Sequence, residues 1–546
     1  MKNIFRKIQN SVGKHIEYIE NVEITPLSFM ATFFSIVLIR VFVENFSNPD
    51  QYGLFAAWST IVTYTFFYAA VLLTLPIFIA PFAKKKPSDI LRYGIFASMV
   101  LILPPVLDLI LTKGAGFCIG YNGAHHWPLV ESFFLFFGPI QRCGISVGMK
   151  VEIVLLMLGI FLYCYVSTKK LWRSITGGIV GYFVIWAYLS MPGILMTLDP
   201  RTWSSGSVEQ YYSSVYAGSF FSSIHTFFIF QVPQLFHYFE FIAFFTGRID
   251  LWLSFIALFI ILWKYDKQKV KAFLANIRPA RIGFYLLFVG LGIKCAYWLG
   301  YVQHNWSLTD YFGLLTLALV VALNFVLAVV INDRCDVAID AHTNTDRPLI
   351  KKTLTDEDMK HITHMLVAFV FLGALQFNYN IFILLFLFQM IYFLYSVPPL
   401  RLRRLFPINS MLIGLISVFT LLIGYFFVSK NQEIVSFPGA ILVLFFLFIA
   451  SISSTKDLKD VSGDKSDGVT TLPTLIGAKR ARMITGLIML AWMLFFFFII
   501  LSYSLVVTII YGILFLVTAM GLFFTDEGEK WGFAILYLLL IPLFFL

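Results

Sequence analysis

The chain has 546 residues, of which 59% are hydrophobic and only 13% charged, and phenylalanine alone fills 61 positions. A water-soluble domain of this size does not carry such a composition, so the chain is read as a polytopic membrane protein. The formal charge of +10 sits in short loops between apolar runs, where lysine and arginine set membrane orientation, so nucleic acid is not expected as a partner.

The N-terminal MKNIFRKIQNSVGKHIEYIE is basic and amphipathic, which predicts a helix on the cytoplasmic membrane surface and no cleavable signal peptide. Apolar runs long enough to cross follow at 24–44, 54–83, 93–112, 151–168, 174–197 and 250–264. Lys84, Lys85 and Lys86 close the second run, and Lys169, Lys170 and Arg173 separate the fourth from the fifth. Six crossings place both clusters on the cytoplasmic side. The outer segments 113–150 and 198–249 contain ESFFLFFGPIQ at 131–141 and HTFFIFQVPQLF at 225–236, read as re-entrant or interfacial helices because both break at proline. GMKVE and GRID end these segments alike, a weak internal repeat.

Candidate chemistry in this half is sparse. Asp108, after Pro104 and Pro105, is expected as an outer loop acid, although an acid at membrane depth would be functional by default. His125 and His126 are adjacent, poor geometry for one metal. The five cysteines, at 118, 143, 164, 295 and 335, make no disulfide framework; Cys118 and Cys143 share an outer region, and the sequence leaves their pairing open. The predicted organisation is an N-terminal multi-span domain over 1–265, a basic amphipathic linker over 266–281, and a second domain over 282–546.

That second domain has nine predicted spans, at 282–300, 311–331, 361–377, 380–397, 410–428, 437–455, 483–502, 504–525 and 531–546. Loops after its second, fourth and sixth spans are rich in lysine and arginine, whereas loops of opposite parity offer essentially Lys430, so the former face the cytoplasm. Two of these basic loops carry acids. Asp333, Asp336 and Asp340 follow the run 311–331 at spacings of three and four, on one face if the helix continues. Asp457, Asp460 and Asp464 repeat the spacing after the run 437–455. One such cluster could be a solvated loop; two matching clusters on one side of the membrane predict a site for two hard cations, Mg2+ above all, holding a diphosphate. Arg347, Lys456, Arg401, Arg403 and Arg404 lie beside them and would supply cationic contacts to phosphate.

Three stretches in this order carry a resemblance. NDRCDVAID at 332–340 with TDRPL at 345–349, YSVPPLRLRR at 395–404, and KDLKDVSGDKSDGVTTLP at 456–473 are similar to the first Asp-rich motif, intervening loop and second Asp-rich motif of the UbiA superfamily of intramembrane prenyltransferases. The resemblance covers about 270–546 and nothing before it. It implies an all-α polytopic fold with a C-terminal nine-helix bundle, here preceded by a membrane domain of about six helices. It further implies magnesium-dependent transfer of a polyprenyl group from an allylic prenyl diphosphate to a lipid or small aromatic acceptor, with release of pyrophosphate. By the same resemblance Asp333, Asp336 and Asp340 hold one ion, Asp457, Asp460 and Asp464 the other, and Asn332, Arg347, Lys456 and Arg404 contact diphosphate. The second motif is similar in wording to relatives acting on homogentisate, chlorophyllide and geranylgeranylglyceryl phosphate.

Ile452 departs from the family pattern, which has tyrosine four residues before the lysine of the second motif. Tyr392, Phe393 and Tyr395 are candidates to shield a carbocation, and Lys294 and Asn324 are polar groups at membrane depth that either touch the acceptor or bond between helices. The expected setting is the plasma membrane of a prokaryote, among membrane lipids, with the site facing the cytoplasm. Two other readings keep some of these features: a UbiA-type terpenoid cyclase or elongase, and a transporter with an acidic cation site.

Overall fold

The computed structural model describes residues 2–47, 53–113, 118–119, 121–122, 127–139, 143–198, 208–217, 237–302, 306–458, 461–466 and 468–501, with isolated positions between 506 and 513. It is all-helical apart from a two-residue parallel pairing of β1 (Cys118–Ile119) with β2 (Cys143–Gly144). Among the described residues, nine helices are long and apolar enough to cross a membrane, and one bent pair could make a tenth. This is an all-α polytopic membrane protein. Its contacts divide into two compact units, the first mainly up to Val270 and the second mainly from Lys271 onward.

In the first unit, α1 (Lys2–Glu20) is the expected amphipathic helix, and Glu20 accepts from Tyr163 Oη at 2.6 Å and Lys85 Nζ at 2.5 Å. The spans are α2 (Pro26–Ser47), α3 (Gly53–Ala83), α4 (Pro87–Ala97) with α5 (Leu103–Leu111), α7 (Val147–Thr168), α8 (Leu171–Leu189) with α9 (Met191–Leu198), and, after the short α10 (Val208–Ala217), α11 (His237–Tyr265). Two expectations of single straight helices are corrected. Residues 98–102 tighten to 3-10 geometry ahead of Pro104 and Pro105, whose rings cannot sit inside a regular α-helix. The run 174–197 is broken by 73° at Ser190, just before Pro192. The predicted helix at 131–141 is α6 (Trp127–Phe134), earlier and shorter, since Phe136, Phe137 and Gly138 take positive φ. The other predicted helix, 225–236, and His125 and His126 lie outside the described residues.

Asp108 is corrected as well: it is buried, not a loop acid. Its Oδ2 accepts from Ser146 Oγ at 2.5 Å and its Oδ1 from the Gly148 amide at 2.7 Å, so the carboxylate meets the orphan N–H groups that open α7. Gly148 permits this approach, because a Cβ there would fall on the backbone of Pro104. Deeper in the unit Arg40 is fully buried. It donates to the Leu101 carbonyl at 2.5 Å and Glu152 at 3.1 Å, with Tyr64 and Tyr68 rings at 5.4 and 5.2 Å, which is how a buried charge is tolerated.

A short basic helix, α12 (Lys267–Ala275), leads to the second unit. There follow α13 (Pro279–Trp298), α14 (Leu308–Cys335), α15 (Val337–Thr343), α16 (Asp356–Ala374), α17 (Tyr379–Ser396), α18 (Ile408–Val428), α19 (Gly439–Ile452), α20 (Val461–Ser466), α21 (Leu472–Ile476) and α22 (Ala478–Leu501). These include seven of the nine predicted spans; 504–525, apart from isolated positions, and 531–546 lie outside the described residues. α18 is the central helix, buried along nearly its whole length. It meets α13 at backbone contact: a Cβ on Gly292 would enter the Leu421 carbonyl, and one on Gly424 would enter the Val289 carbonyl. Small residues facing each other in this way let membrane helices pack by dispersion where no hydrophobic effect drives them. Asn324 on α14 bonds to α17, donating to the Leu385 carbonyl at 3.3 Å and accepting from Gln389 Nε2 at 2.7 Å, so it serves helix packing.

Candidate active site

The first acidic cluster sits where a long apolar helix stops. α14 runs on through Asn332, Asp333, Arg334 and Cys335 and then breaks at Asp336, whose φ of −106° and ψ of 13° are not helical, before α15 resumes. The amide ladder survives the break, Asp336 to the Asn332 carbonyl at 3.0 Å and Asp340 to the Asp336 carbonyl at 2.9 Å. The three carboxylates therefore remain within one short stretch, and all three are buried.

Each is held by cations or amides. Asp333 takes Arg278 Nη2 at 2.6 Å, Arg347 Nη1, and Asn276 Nδ2 at 2.7 Å. Asp336 takes Arg401 Nη2 at 2.8 Å, Arg403 Nη1, and Asn332 Nδ2 at 2.7 Å, and Asn332 is itself oriented by Ser396 Oγ at 2.9 Å. Asp340 accepts from Asn344 at 2.9 Å and lies 3.7 Å from Arg347, while its buried Oδ2 makes no hydrogen bond among the described residues. Burial pushes the Asp340 carboxyl up to about 6; Arg347 opposes the rise, and Asp333 and Asp336 add to it.

The second cluster comes to the same place. Arg403, from the 3-10 turn Leu402–Arg404, touches Asp336 and reaches Asp464 of α20 at 4.0 Å. Asp336, Asp340, Asp457 and Asp464 line one cavity together with Asn332, Arg347 and Arg403. The cavity is about 180 Å3, more than ten times the ~10–15 Å3 that one water needs by the same measure, so it can hold a group of diphosphate size. Its inner wall is aromatic, with Phe284, Tyr285, Phe325, Tyr392 and Tyr395, and the Tyr285 and Tyr392 hydroxyls are 2.7 Å apart.

Some sequence expectations are placed differently. Arg404 is not among the lining residues; its carbonyl instead accepts from the Thr470 amide at 2.9 Å, and Arg403 and Arg401 take the acidic side. Phe393 is 49% exposed and is not among the residues lining the cavity. Lys294 and Asn324 are not among the residues lining the cavity. Ile452 does line it, and the adjacent wall offers Ser453 and Thr455 hydroxyls. Asp460 and the side chain of Lys456 lie outside the described residues. Arg278, Arg281, Asn276 and Asn344 were not anticipated. Arg278 and Arg281 sit in a stretch, NIRPAR, whose charge was read as a topology signal, and no acid nearby in sequence hints that its partner is 55 residues on.

Buried carboxylates and partly buried arginines thus gather at the ends of apolar helices beside an aromatic wall. Residues 285–541 match the model of the UbiA prenyltransferase family. Over 164 residues the chain is 29% identical to digeranylgeranylglyceryl phosphate synthase of Pyrococcus horikoshii, covering 29% of this chain and 54% of that one. Over 102 residues it is 34% identical to a chloroplastic homogentisate solanesyltransferase of Arabidopsis thaliana, covering 17% and 26%. The chain thus spans about half the length of the first of these relatives and less of the second. A UbiA homologue from Archaeoglobus fulgidus solved with DMAPP and Mg2+ aligns with 50% of this chain and 97% of its own at 18% identity and a TM-score of 0.37.

Proposed function

We propose that the second unit transfers a polyprenyl group from an allylic prenyl diphosphate to an acceptor within the membrane, releasing pyrophosphate, and that its domain spans 282–546 after the linker at 266–281. The observation that carries this reading is that acids from both motifs, Asp336 and Asp340 with Asp457 and Asp464, share one cavity with Arg347 and Arg403.

The donor set fits Mg2+: the acids are hard oxygen ligands, and the buried Asp340 Oδ2 makes no hydrogen bond among the described residues. Among the described residues no three acids are already gathered as ligands, and arginines contact Asp333 and Asp336. We assign Asp333, Asp336 and Asp340 to one Mg2+ and Asp457, Asp460 and Asp464 to a second. Bound there, the ions would neutralise charge building on the leaving diphosphate. Arg403 and Arg347 are placed to exchange carboxylate oxygens for phosphate oxygens, since a guanidinium fork suits both. Asn332 and Lys456 complete the proposed diphosphate contacts, whereas Arg404, outside the cavity lining, is left out of them. The aromatic wall would cover the allylic cation with ring faces and keep water from it.

The acceptor is a lipid or a small aromatic molecule, the membrane is the plasma membrane of a prokaryote, and the loop charge supports a site on its cytoplasmic face. Pyrophosphate release from geranylgeranyl diphosphate by the reconstituted chain, with and without added acceptors, tests this. Release that needs both Mg2+ and an acceptor is expected. Release without acceptor would instead mean cyclisation or elongation, and none under any condition would remove the enzyme reading.

A further inference from the structure

We propose that Cys118 and Cys143 form a disulfide on the extracytoplasmic side of the first unit, closing the segment between them. Three observations carry it. First, the parallel pairing of β1 with β2 puts Cys118 in register with Cys143, and Ile119 with Gly144. Neighbouring strands lie about 4.8 Å apart. That spacing falls inside the ~4.4–6.8 Å between Cα atoms that a disulfide spans.

Second, both flanks of the bridge are fixed independently of it. The Asp108 carboxylate holds Ser146 and the Gly148 amide, which pins the end of α5 to the start of α7. Asn122 donates to Ser132 at 3.0 Å and Ser190 at 2.9 Å, and its amide donates to the Leu189 carbonyl at 2.8 Å. The backbone at 118 and at 143 is thus held on both flanks by contacts other than the bridge.

Third, compartment and selectivity agree. The connection between α5 and α7 lies at the membrane face opposite Lys84, Lys85 and Lys86 and opposite Lys169, Lys170 and Arg173, so the charge-based orientation puts it where disulfides persist. This step rests on the orientation given under the proposed function. Cys164, Cys295 and Cys335 are free and lie in helices α7, α13 and α14. The bond would form by thiol–disulfide exchange: a disulfide-bearing oxidant protein of that compartment accepts two electrons and becomes a dithiol as the two cysteine thiols become one disulfide.

The test is a thiol count on the full-length chain purified from membranes of a host with an oxidising extracytoplasmic compartment. Denatured without reductant, three of the five cysteines should alkylate, and all five after reduction. Non-reducing digestion should yield one peptide joining 118 to 143. In Cys118→Ser all four remaining cysteines should alkylate without reductant. Five reactive thiols in the unreduced wild-type chain, or a bond to any other cysteine, would overturn the proposal. Sidedness is read separately by labelling Lys113→Cys, with the five natural cysteines replaced, using a membrane-impermeant maleimide on intact cells. Labelling there with free native thiols sinks the disulfide alone; no labelling, against robust labelling in permeabilised cells, sinks the orientation and the disulfide with it.

Discussion

Arg403 and Arg404 are neighbours that the structure places differently. Arg403 is 13% exposed at its side chain, contacts Asp336 of the first motif and lies 4.0 Å from Asp464 of the second. Arg404 is not among the residues lining the cavity. Removing one fixed donor from a charge-stabilising site costs roughly 10²–10³ in kcat, about 2.7–4 kcal/mol of barrier. Arg403→Ala should therefore lower turnover by about that factor, and Arg403→Lys should recover only part of it, because a point charge cannot replace a fork that faces two acids. Arg404→Ala should stay within about threefold, on the order of 0.6 kcal/mol. The assay is pyrophosphate release at saturating Mg2+, alongside thermal unfolding in detergent to separate loss of fold from loss of chemistry. A folded Arg403→Ala protein with near wild-type turnover, or a larger loss in Arg404→Ala, would refute the assignment of the bridging role.

Other outcomes follow from the packing and the site. Gly292→Ala or Gly424→Ala drives a methyl into a backbone carbonyl of the facing helix, so each should cost more than the ~1–3 kcal/mol usual for overpacking, read as loss of the folded fraction in detergent. Asp108→Ala leaves the Ser146 hydroxyl and Gly148 amide without their acceptor and should cost about 1–3 kcal/mol by thermal unfolding, with no direct effect on the second unit's chemistry. Asp340, pushed up to about 6, is largely protonated below that pH, and a ligand must be deprotonated to bind metal. The apparent Mg2+ affinity should then fall about fourfold between pH 7.5 and 5.5 from this group, and Asp340→Asn should abolish that part of the dependence; an unchanged slope in the variant would contradict the ligand role.

Much of the helical order was legible because spans of twenty apolar residues admit few alternatives in a bilayer. The Asp-rich stretches were legible because carboxylates at helix ends beside basic loops are costly without a purpose. What was not legible depends on contacts far apart in sequence. Arg278 reads as one more loop cation until α12 and α13 bring it to Asp333. The choice of Arg403 over Arg404 depends on a 3-10 turn that begins after Arg401 at φ 41°, and charge counting cannot see which side of that turn faces inward. Asp108 was misread because distance from the bilayer centre says nothing of whether a neighbouring helix start needs an acceptor. The bend at Ser190 could have been found from Pro192, whose missing N–H and ring bulk disfavour a continuous helix.

The most direct test of the central claim, that the two acidic motifs serve one diphosphate, is turnover of Asp336→Asn and Asp464→Asn singly and together. A shared site predicts that each single change lowers pyrophosphate release at least a hundredfold and that the double change loses far less than the product of the two. Losses that simply multiply would contradict a common centre, as would wild-type turnover in a folded double variant.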